Sequence, residues 1–347
     1  MPKISDPIKI ADLEIKNRTV MAPMVRNLAT ENGEVTKEVV EHYELRSKGG
    51  VGLIIVEAAA ITWEHRIMKK NIGIHDDTLI PGLTKLAGGI KKHGGSAFIQ
   101  INHSGPKGHG KSTYAGPSPI SVLKGKIPEA LTLDEIDNVT QMFVDATRRA
   151  KEAGFDGVEI HGAHYYLLSA FLSSYTNRRE DNYGGSTENK ARFSVDVIKA
   201  IRKEIGDYPL IFRMNGFENV VDGITMEEGI EIAKIIERAG IDSVHVSCVV
   251  DATYNPGIPH YFDEETQPEF LKEYPYDCCI PIAAKIKPHV KVPVIGVGMV
   301  RDAQFAREVM KKDHCDLLGL GRCLLSDPEF VAKTLDGRDD EIIPWKD

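Results

Sequence analysis

From Arg18 onward, the sequence alternates between short apolar segments typical of β-strands and longer amphipathic segments typical of α-helices. The predicted strands cover residues 19–21, 51–57, 97–101, 157–160, 210–214, 243–246, 292–296 and 317–320. They are nearly continuously apolar, which indicates parallel strands covered on both faces. Eight strand–helix units in succession therefore predict an α/β protein built as a closed (β/α)8 barrel, the TIM barrel.

An open, doubly wound sheet is the alternative architecture. It would favour a glycine-rich phosphate loop after the first strand, and residues 22–25 contain no glycine. The predicted helices cover residues 36–48, 79–93, 132–153, 187–205, 225–239, 278–287, 302–311 and 328–335. Thr132 and Glu135 have capping-box spacing, and Gly154 and Gly240 stand where helices should end.

Outside these units, the sequence predicts a short hairpin and three long loops. Residues 8–10 and 13–15 are short alternating pieces, which predicts an N-terminal β-hairpin. Long segments at about residues 102–131, 161–186 and 247–276 follow predicted strands 3, 4 and 6, so they should build a site on one face of the barrel. No repeat or dividing linker is present, and residues 1–347 are predicted to form a single domain.

The charge and the cysteines narrow the class of protein. A net charge of −8 argues against nucleic acid or an anionic membrane as partner, because both favour basic surfaces. No apolar run approaches the roughly 20 residues that span a bilayer, and no signal peptide is evident, so a cytoplasmic location is expected. The five cysteines form neither a disulfide framework nor a metal-ligand set. We expect reduced thiols, with Cys315 and Cys323 packed as small apolar side chains.

Two imidazoles and a phenol lie where the fourth predicted strand gives way to a loop. His161, His164 and Tyr166 can each donate or relay a proton, and their place at a strand's C-terminal end indicates a catalytic site. Zinc binding is the sharpest alternative, with Glu159 or His103 as third ligand. No HExxH motif is present, so we predict no metal and favour neutral imidazoles that donate hydrogen bonds to a substrate oxygen.

Polar and glycine residues also end other strands. Gln100 and Arg213 are polar residues at the ends of apolar strands. Burying an amide without a hydrogen-bond partner costs about 1–3 kcal/mol, and burying an unpaired charge costs more, so both side chains should have partners. Either they form structural bonds inside the barrel, or both face a polar heterocycle. Gly298, Gly321 and Arg322 follow the last two strands, the usual phosphate site of such barrels, and the alternative is that these glycines form turns.

Several motifs, in order along the chain, resemble those of the Old Yellow Enzyme family, FMN-containing ene reductases with (β/α)8 barrels. The resemblance covers about residues 6–335. Within the family, the chain most resembles the single-domain catalytic barrel of the branch that is similar to 2,4-dienoyl-CoA reductase. The matching motifs are residues 17–18 with 21–24, 50–58, 100–105, 116–118, 153–164, 171–173, 177–186, 296–299, 321–322 and 327–328. Each is weak alone, but together and in order they are specific.

The resemblance implies roles for the matching positions. The flavin-binding set would be Ala22, Pro23, Met24, Val25, Ala58, Gln100, Arg213, Gly298, Gly321 and Arg322. Within it, Gln100 would bond the pyrimidine edge of the flavin, and Arg213 would stabilise negative charge near N1 and the C2 oxygen. The two glycines after the last strands, with Arg322, would hold the FMN phosphate.

The resemblance also implies the reaction. NADH or NADPH would reduce FMN, and hydride would pass from flavin N5 to the β-carbon of an unsaturated small-molecule substrate, a carbonyl or carboxylate compound. His161 and His164 would hold the substrate oxygen as negative charge develops on it. Tyr166 would protonate the α-carbon as a general acid. The family is compatible with assembly as a homo-oligomer.

Several positions depart from the family pattern. Val25 replaces a threonine or cysteine that bonds the flavin, and Tyr165 replaces the commoner glycine before the proton donor. Trp345 stands where larger relatives have their first iron–sulfur cysteine, so we expect electrons to come directly from a nicotinamide. The alternatives are a flavin amine dehydrogenase or demethylase with a separate electron acceptor, and a metal-assisted barrel lyase or hydrolase.

Overall fold

The computed structural model describes residues 2–108, 114–123, 125–249, 265–274 and 278–345. A β-hairpin precedes eight parallel strands that close into a barrel, and a second two-stranded pair lies outside the barrel sheet. The strands are β1 (Ile8–Ile10), β2 (Leu13–Ile15), β3 (Thr19–Met21), β4 (Leu53–Ala60), β5 (Ser96–Asn102), β6 (Ala115–Gly116), β7 (Glu129–Ala130), β8 (Gly157–Gly162), β9 (Leu210–Glu218), β10 (Ser243–Val249), β11 (Val294–Val297) and β12 (Leu317–Leu320). The barrel runs β3-β4-β5-β8-β9-β10-β11-β12 and closes from β12 to β3, which confirms the predicted (β/α)8 barrel.

Helices follow the barrel strands, as the alternating sequence predicts. They are α1 (Lys37–Lys48), α2 (Ile80–Lys91), α3 (Leu133–Glu152), α4 (Leu167–Leu172), α5 (Thr187–Ile205), α6 (Met226–Ala239), α7 (Ile280–Ile286), α8 (Ala303–Lys311), α9 (Arg322–Ser326) and α10 (Phe330–Asp336). Thr132 and Glu135 form the predicted capping box of α3. The sequence did not reveal α4 and α9, because five or six residues are too few for an amphipathic period to show.

The predicted N-terminal hairpin is confirmed, and it closes the N-terminal end of the barrel. Its strands pair antiparallel, with Ile8 opposite Ile15. Ile10 and Ile15 are fully buried. They pack against a layer of barrel side chains made of Val20, Leu53, Ile55, Phe98, Ile211, Ile295 and Leu317. Since this end of the barrel is filled with apolar side chains, polar groups can gather at the opposite, C-terminal end.

Several strands extend beyond their predicted ends, and β9 and β10 do so where polar residues interrupt the apolar pattern. β9 continues past Met214 to Glu218, and β10 continues past Val246 to Val249. Asn215 and Glu218 satisfy each other, since the Asn215 amide donates to the Glu218 carboxylate over 2.8 Å. The pairing of β9 and β10 shifts register between Ser247 and Cys248, a β-bulge. The prediction ended both strands too early because it took polar residues as strand ends.

The long segments differ in how they fold. The segment after β5 contains the parallel pair β6 and β7. The segment after β8 contains α4, all of whose side chains are buried. Most of the third segment, residues 247–276, lies outside the described residues. Within the described ranges, no helix combines the length and the apolar character needed to cross a bilayer.

Candidate active site

A cavity of about 360 Å³ opens at the C-terminal ends of the barrel strands. Its described lining consists of Ala22, Pro23, Met24, Lys107, His164, Tyr166, Arg213, Ser247, Cys248, Val249, Cys279, Val297, Gly298, Met299, Val300, Arg301, Gly319, Gly321, Arg322 and Trp345. This set includes four lysine or arginine side chains and contains no aspartate or glutamate. The cavity therefore has the size of a small-molecule site and a cationic wall that suits an anionic ligand.

The structure brings most of the residues predicted from the sequence to this cavity. Those on its wall are Ala22, Pro23, Met24, His164, Tyr166, Arg213, Gly298, Gly321 and Arg322. His161, Val25, Ala58 and Gln100 are not part of the wall. Ala58 is buried, and its carbonyl accepts a hydrogen bond from the Asn71 amide over 2.6 Å.

Gln100 belongs to a buried polar network inside the barrel. Its amide donates to Glu159 Oε1 over 2.7 Å, and Glu159 Oε2 lies 2.6 Å from His245 Nδ1. All three side chains are at most 1% exposed. Burial lowers the pKa of His245, and the Glu159 carboxylate opposes that shift. Gln100 therefore bonds a carboxylate inside the barrel, and Glu159 takes part in the same network.

His161 and His164 contact each other rather than a common point in the cavity. His161 Nε2 lies 3.0 Å from His164 Nδ1, and His164 Nε2 lies 2.6 Å from Ser247 Oγ. Burial lowers the pKa of both imidazoles well below the usual value, and the charges of Arg213 and Lys107 lower both further. Both rings are therefore neutral, as the sequence-based interpretation requires.

Tyr166 lies at the cavity wall, where β8 leads into α4. It occupies the N-cap position of α4, and its ring centre lies 4.7 Å from that of His161. Burial raises the pKa of Tyr166 to about 12, while the charge of Arg213 opposes the shift. The phenol therefore keeps its proton at neutral pH and can act as an acid.

Lys107 is a cavity residue that the sequence reasoning missed. It ends a 3-10 turn (Gly105–Lys107), and Gly105 has a φ of +54°. A Cβ at Gly105 would lie 2.7 Å from Leu167 Cα, so glycine allows this turn to pack on α4. The Lys107 Nζ lies 5.4 Å from the ring centre of Tyr166, and burial lowers the pKa of the ammonium to about 8. The only sequence signal was its position directly after the motif at residues 100–105.

Tyr165 has an unusual backbone conformation for a bulky residue. His164 has a φ of +63° and Tyr165 a φ of +58°, so two successive side-chain-bearing residues lie in the left-handed region. Glycine would adopt this conformation without strain. Here the phenol of Tyr165 donates to Glu218 Oε2 over 3.1 Å, and its ring is fully buried among Val122, Val220 and Val249.

The glycines after the last two strands lie together at the other side of the cavity. Gly298 has a φ of +124°, a conformation that favours glycine. The Arg322 guanidinium lies 2.8 Å from the Met299 sulfur and 6.0 Å from the ring centre of Trp345. This corner therefore combines an arginine with glycine backbone, whose N–H groups no side chain covers. Phosphate oxygens are bound by such N–H groups and by arginine.

Two site residues each have a buried polar atom without a hydrogen-bond partner. Arg213 Nε and His161 Nδ1 are buried and have no hydrogen-bond partner among the described residues. Nine further buried side-chain atoms also lack a partner among the described residues, so these two atoms support a ligand only together with the shape and charge of the cavity. Together with the phosphate corner at Arg322, Arg213 fits a polar heterocycle that carries a phosphate. Among the described residues, no group of three or more His, Cys, Asp or Glu side chains is arranged to hold a metal ion.

Fold and cavity together define a class of protein: a (β/α)8 barrel with a cationic ligand site at the C-terminal ends of its strands. Residues 3–341 match the model of the NADH:flavin oxidoreductase / NADH oxidase family. The chain belongs to that family.

Known relatives agree with this assignment. The chain is 37% identical over 350 residues to the NADH oxidase of Thermoanaerobacter brockii, covering 98% of this chain and 52% of that protein. It is 37% identical over 325 residues to the NADPH dehydrogenase of Geobacillus sp. (strain WCH70), covering 93% of this chain and 90% of that protein. The chain therefore spans about half the length of the first relative and most of the second.

A solved structure of an old yellow enzyme homologue supports the family resemblance seen in the sequence. That protein, from Zymomonas mobilis, superimposes with a TM-score of 0.79 at 25% identity, covering 97% of this chain and 93% of that chain. The predicted resemblance to the Old Yellow Enzyme family is confirmed.

Proposed function

We propose that the chain is an FMN-dependent oxidoreductase that takes electrons from NADH or NADPH and reduces the activated C=C bond of an α,β-unsaturated carbonyl or carboxylate compound. One observation carries the proposal most strongly. Tyr166, a buried phenol with a pKa of about 12, lies on the wall of a cationic cavity next to His164, and His161 lies directly beside both. Such a site can hold an anion-forming substrate and deliver a proton to it.

The residues present fit FMN. Gly298, Gly321 and Arg322 would hold its phosphate, and Arg213 would face its heterocycle with the Nε atom that has no partner among the described residues. The main chain at residues 22–24 would pack beside it. When bound, FMN supplies the hydride, and the nicotinamide cofactor replenishes it.

The wall residues His164 and Tyr166, with His161 behind them, would bind the substrate and move the proton. Negative charge on the substrate oxygen calls for hydrogen-bond donors, and His161 Nδ1 and the His164 ring lie beside Tyr166. Because the two imidazoles now bond each other, a substrate oxygen held by both would have to replace that hydrogen bond. The phenol of Tyr166 would then protonate the α-carbon, and it needs no lowered pKa because it acts as an acid.

Absorbance and stopped-flow measurements test the proposal. The purified protein should contain FMN and should bleach under anaerobic conditions with NADH or NADPH. Mixing the reduced protein with a panel of enones, enoates and their thioesters should restore the oxidised spectrum. A colourless protein that takes up no FMN, or a reduced protein that no alkene reoxidises, would contradict the corresponding half of the proposal.

Tyr166→Phe isolates the proton transfer. The variant should keep the rate at which NADH or NADPH reduces the flavin, and alkene-dependent reoxidation should slow by about 10²–10⁴-fold. Tyr183→Phe is a matched control, since its phenol also has a pKa raised to about 12 but donates to Asp196 away from the cavity. Equal reoxidation by wild type and Tyr166→Phe would remove Tyr166 from the role.

A further inference from the structure

Two cysteines from different elements meet at the wall of the cavity. Cys248 lies in β10 and Cys279 lies at the N-cap of α7, and their Sγ atoms are 2.6 Å apart. Both thiols line the cavity, and each residue is 7% exposed. A disulfide has an S–S distance of about 2.05 Å, so a small movement joins these two atoms.

The backbone holds both thiols in place. In a regular strand, successive side chains point to opposite faces, yet Ser247 and Cys248 both line the cavity. At this point β9 carries one extra residue, since Ser247 pairs with Asn215 while Cys248 pairs with Phe217 and Gly216 is left unmatched. On the other side, the Cys279 N–H donates to the Val297 carbonyl over 3.1 Å, which ties Cys279 to β11. Neither sulfur depends on a free loop for its position.

Arg213 is the charged side chain that interacts with both thiols. Burial lowers the pKa of Arg213, and its proximity to the Cys279 and Cys248 thiols opposes that shift.

The remaining cysteines lie in different surroundings. Burial raises the pKa of Cys315 and of Cys323 to about 12, and neither lines the cavity. The Cys278 thiol donates to the Gly298 carbonyl over 3.3 Å. Of the five cysteines, Cys248 and Cys279 are thus the two that share a contact and face the cavity.

We propose that Cys248 and Cys279 form a reversible disulfide, a thiol redox site in the cavity wall. The oxidant is a peroxide. One thiolate attacks a peroxide oxygen to give a sulfenic acid and one water, and the second thiol then attacks that sulfur, forms the S–S bond and releases a second water. Two thiols and one hydrogen peroxide thus give one disulfide and two waters. An external dithiol reverses the change by exchange and leaves as its own disulfide.

Mass spectrometry of the flavin-loaded protein tests this site. One equivalent of hydrogen peroxide should lower the intact mass by about 2 Da, the loss of two hydrogens. A digest under non-reducing conditions should contain the Cys248 peptide linked to the Cys279 peptide. Dithiothreitol should restore the starting mass and separate the two peptides. These readouts do not depend on the proposed reaction of the enzyme.

Serine variants show whether the pair is specific. Cys248→Ser and Cys279→Ser should each abolish the linked peptides, while Cys315→Ser and Cys323→Ser should keep them. The wild-type digest decides the question if a variant does not fold. A gain of oxygen atoms without a link, a link through Cys278, or no reaction at all would each overturn the proposal.

Discussion

Replacing Tyr165 by glycine tests whether its left-handed backbone or its buried ring dominates the stability of the turn before Tyr166. Glycine would relieve a conformation that costs other residues about 1–2 kcal/mol. It would also remove an aromatic side chain that is fully buried among Val122, Val220 and Val249, and truncating such a side chain costs about 3–5 kcal/mol.

The Tyr165 hydrogen bond to Glu218 adds a smaller amount. Glu218 also accepts from Ser173, Asn215 and the Ile224 N–H, so it is not left without donors. The lost bond is therefore worth about 1 kcal/mol. Taken together, Tyr165→Gly should destabilise the protein by roughly 3 kcal/mol, because lost burial outweighs relieved strain.

Thermal unfolding of Tyr165→Gly and Tyr165→Phe at saturating flavin separates these contributions. A loss of 1 kcal/mol lowers Tm by about 2 °C in a protein of this size, so Tyr165→Gly should lose roughly 6 °C. Tyr165→Phe keeps both the ring and the left-handed backbone, and should lose roughly 2 °C. A glycine variant at least as stable as wild type would refute the reasoning, since strain would then outweigh packing.

Two further predictions concern buried ionisable groups. Burial raises the pKa of Glu57 from 4.5 to about 7, so its ionisation destabilises the fold progressively between those pH values, and the Tm of Glu57→Gln relative to wild type should rise from pH 5 to pH 8. A difference independent of pH would contradict this. Lys333→Met strips the buried Asp327 carboxylate of a 2.8 Å partner and should cost about 3–5 kcal/mol in urea unfolding. Lys312→Met, which breaks the exposed pair with Glu273, should cost under about 1 kcal/mol. Equal losses would refute the role of burial.

The barrel could be predicted because its signal is local and repeated. Each strand is an apolar run bounded by turn residues, and each long helix has an amphipathic period with its own cap, as at Thr132. The hairpin at residues 8–15 was predictable for the same reason, since strict alternation over a few residues is enough. No partner distant in sequence is needed to read either pattern.

Polar side chains inside the barrel do not carry such a signal. Gln100 bonds Glu159, which is 59 residues away, and Glu159 bonds His245, a further 86 residues on. From the sequence, Gln100 facing a heterocycle and Gln100 facing a carboxylate look alike, because both place a polar group in an apolar strand. The end of β9 was missed for a related reason, since Asn215 and Glu218 continue the strand by satisfying each other.

The turn at Tyr165 has both a local signal in the sequence and a partner that is distant in sequence. The sequence marks it as unusual because a tyrosine replaces a glycine, but the compensation lies 53 residues away at Glu218. The strain and its compensation act on one turn, whose flanking residues are His164 and Tyr166, the two side chains of this loop that reach the cavity. Since both take their direction from the backbone between them, Tyr165 sets the placement of the proposed proton donor without touching the cavity itself. A change in the rate of alkene reduction in Tyr165→Gly, with Tyr166 intact, would follow directly from this arrangement.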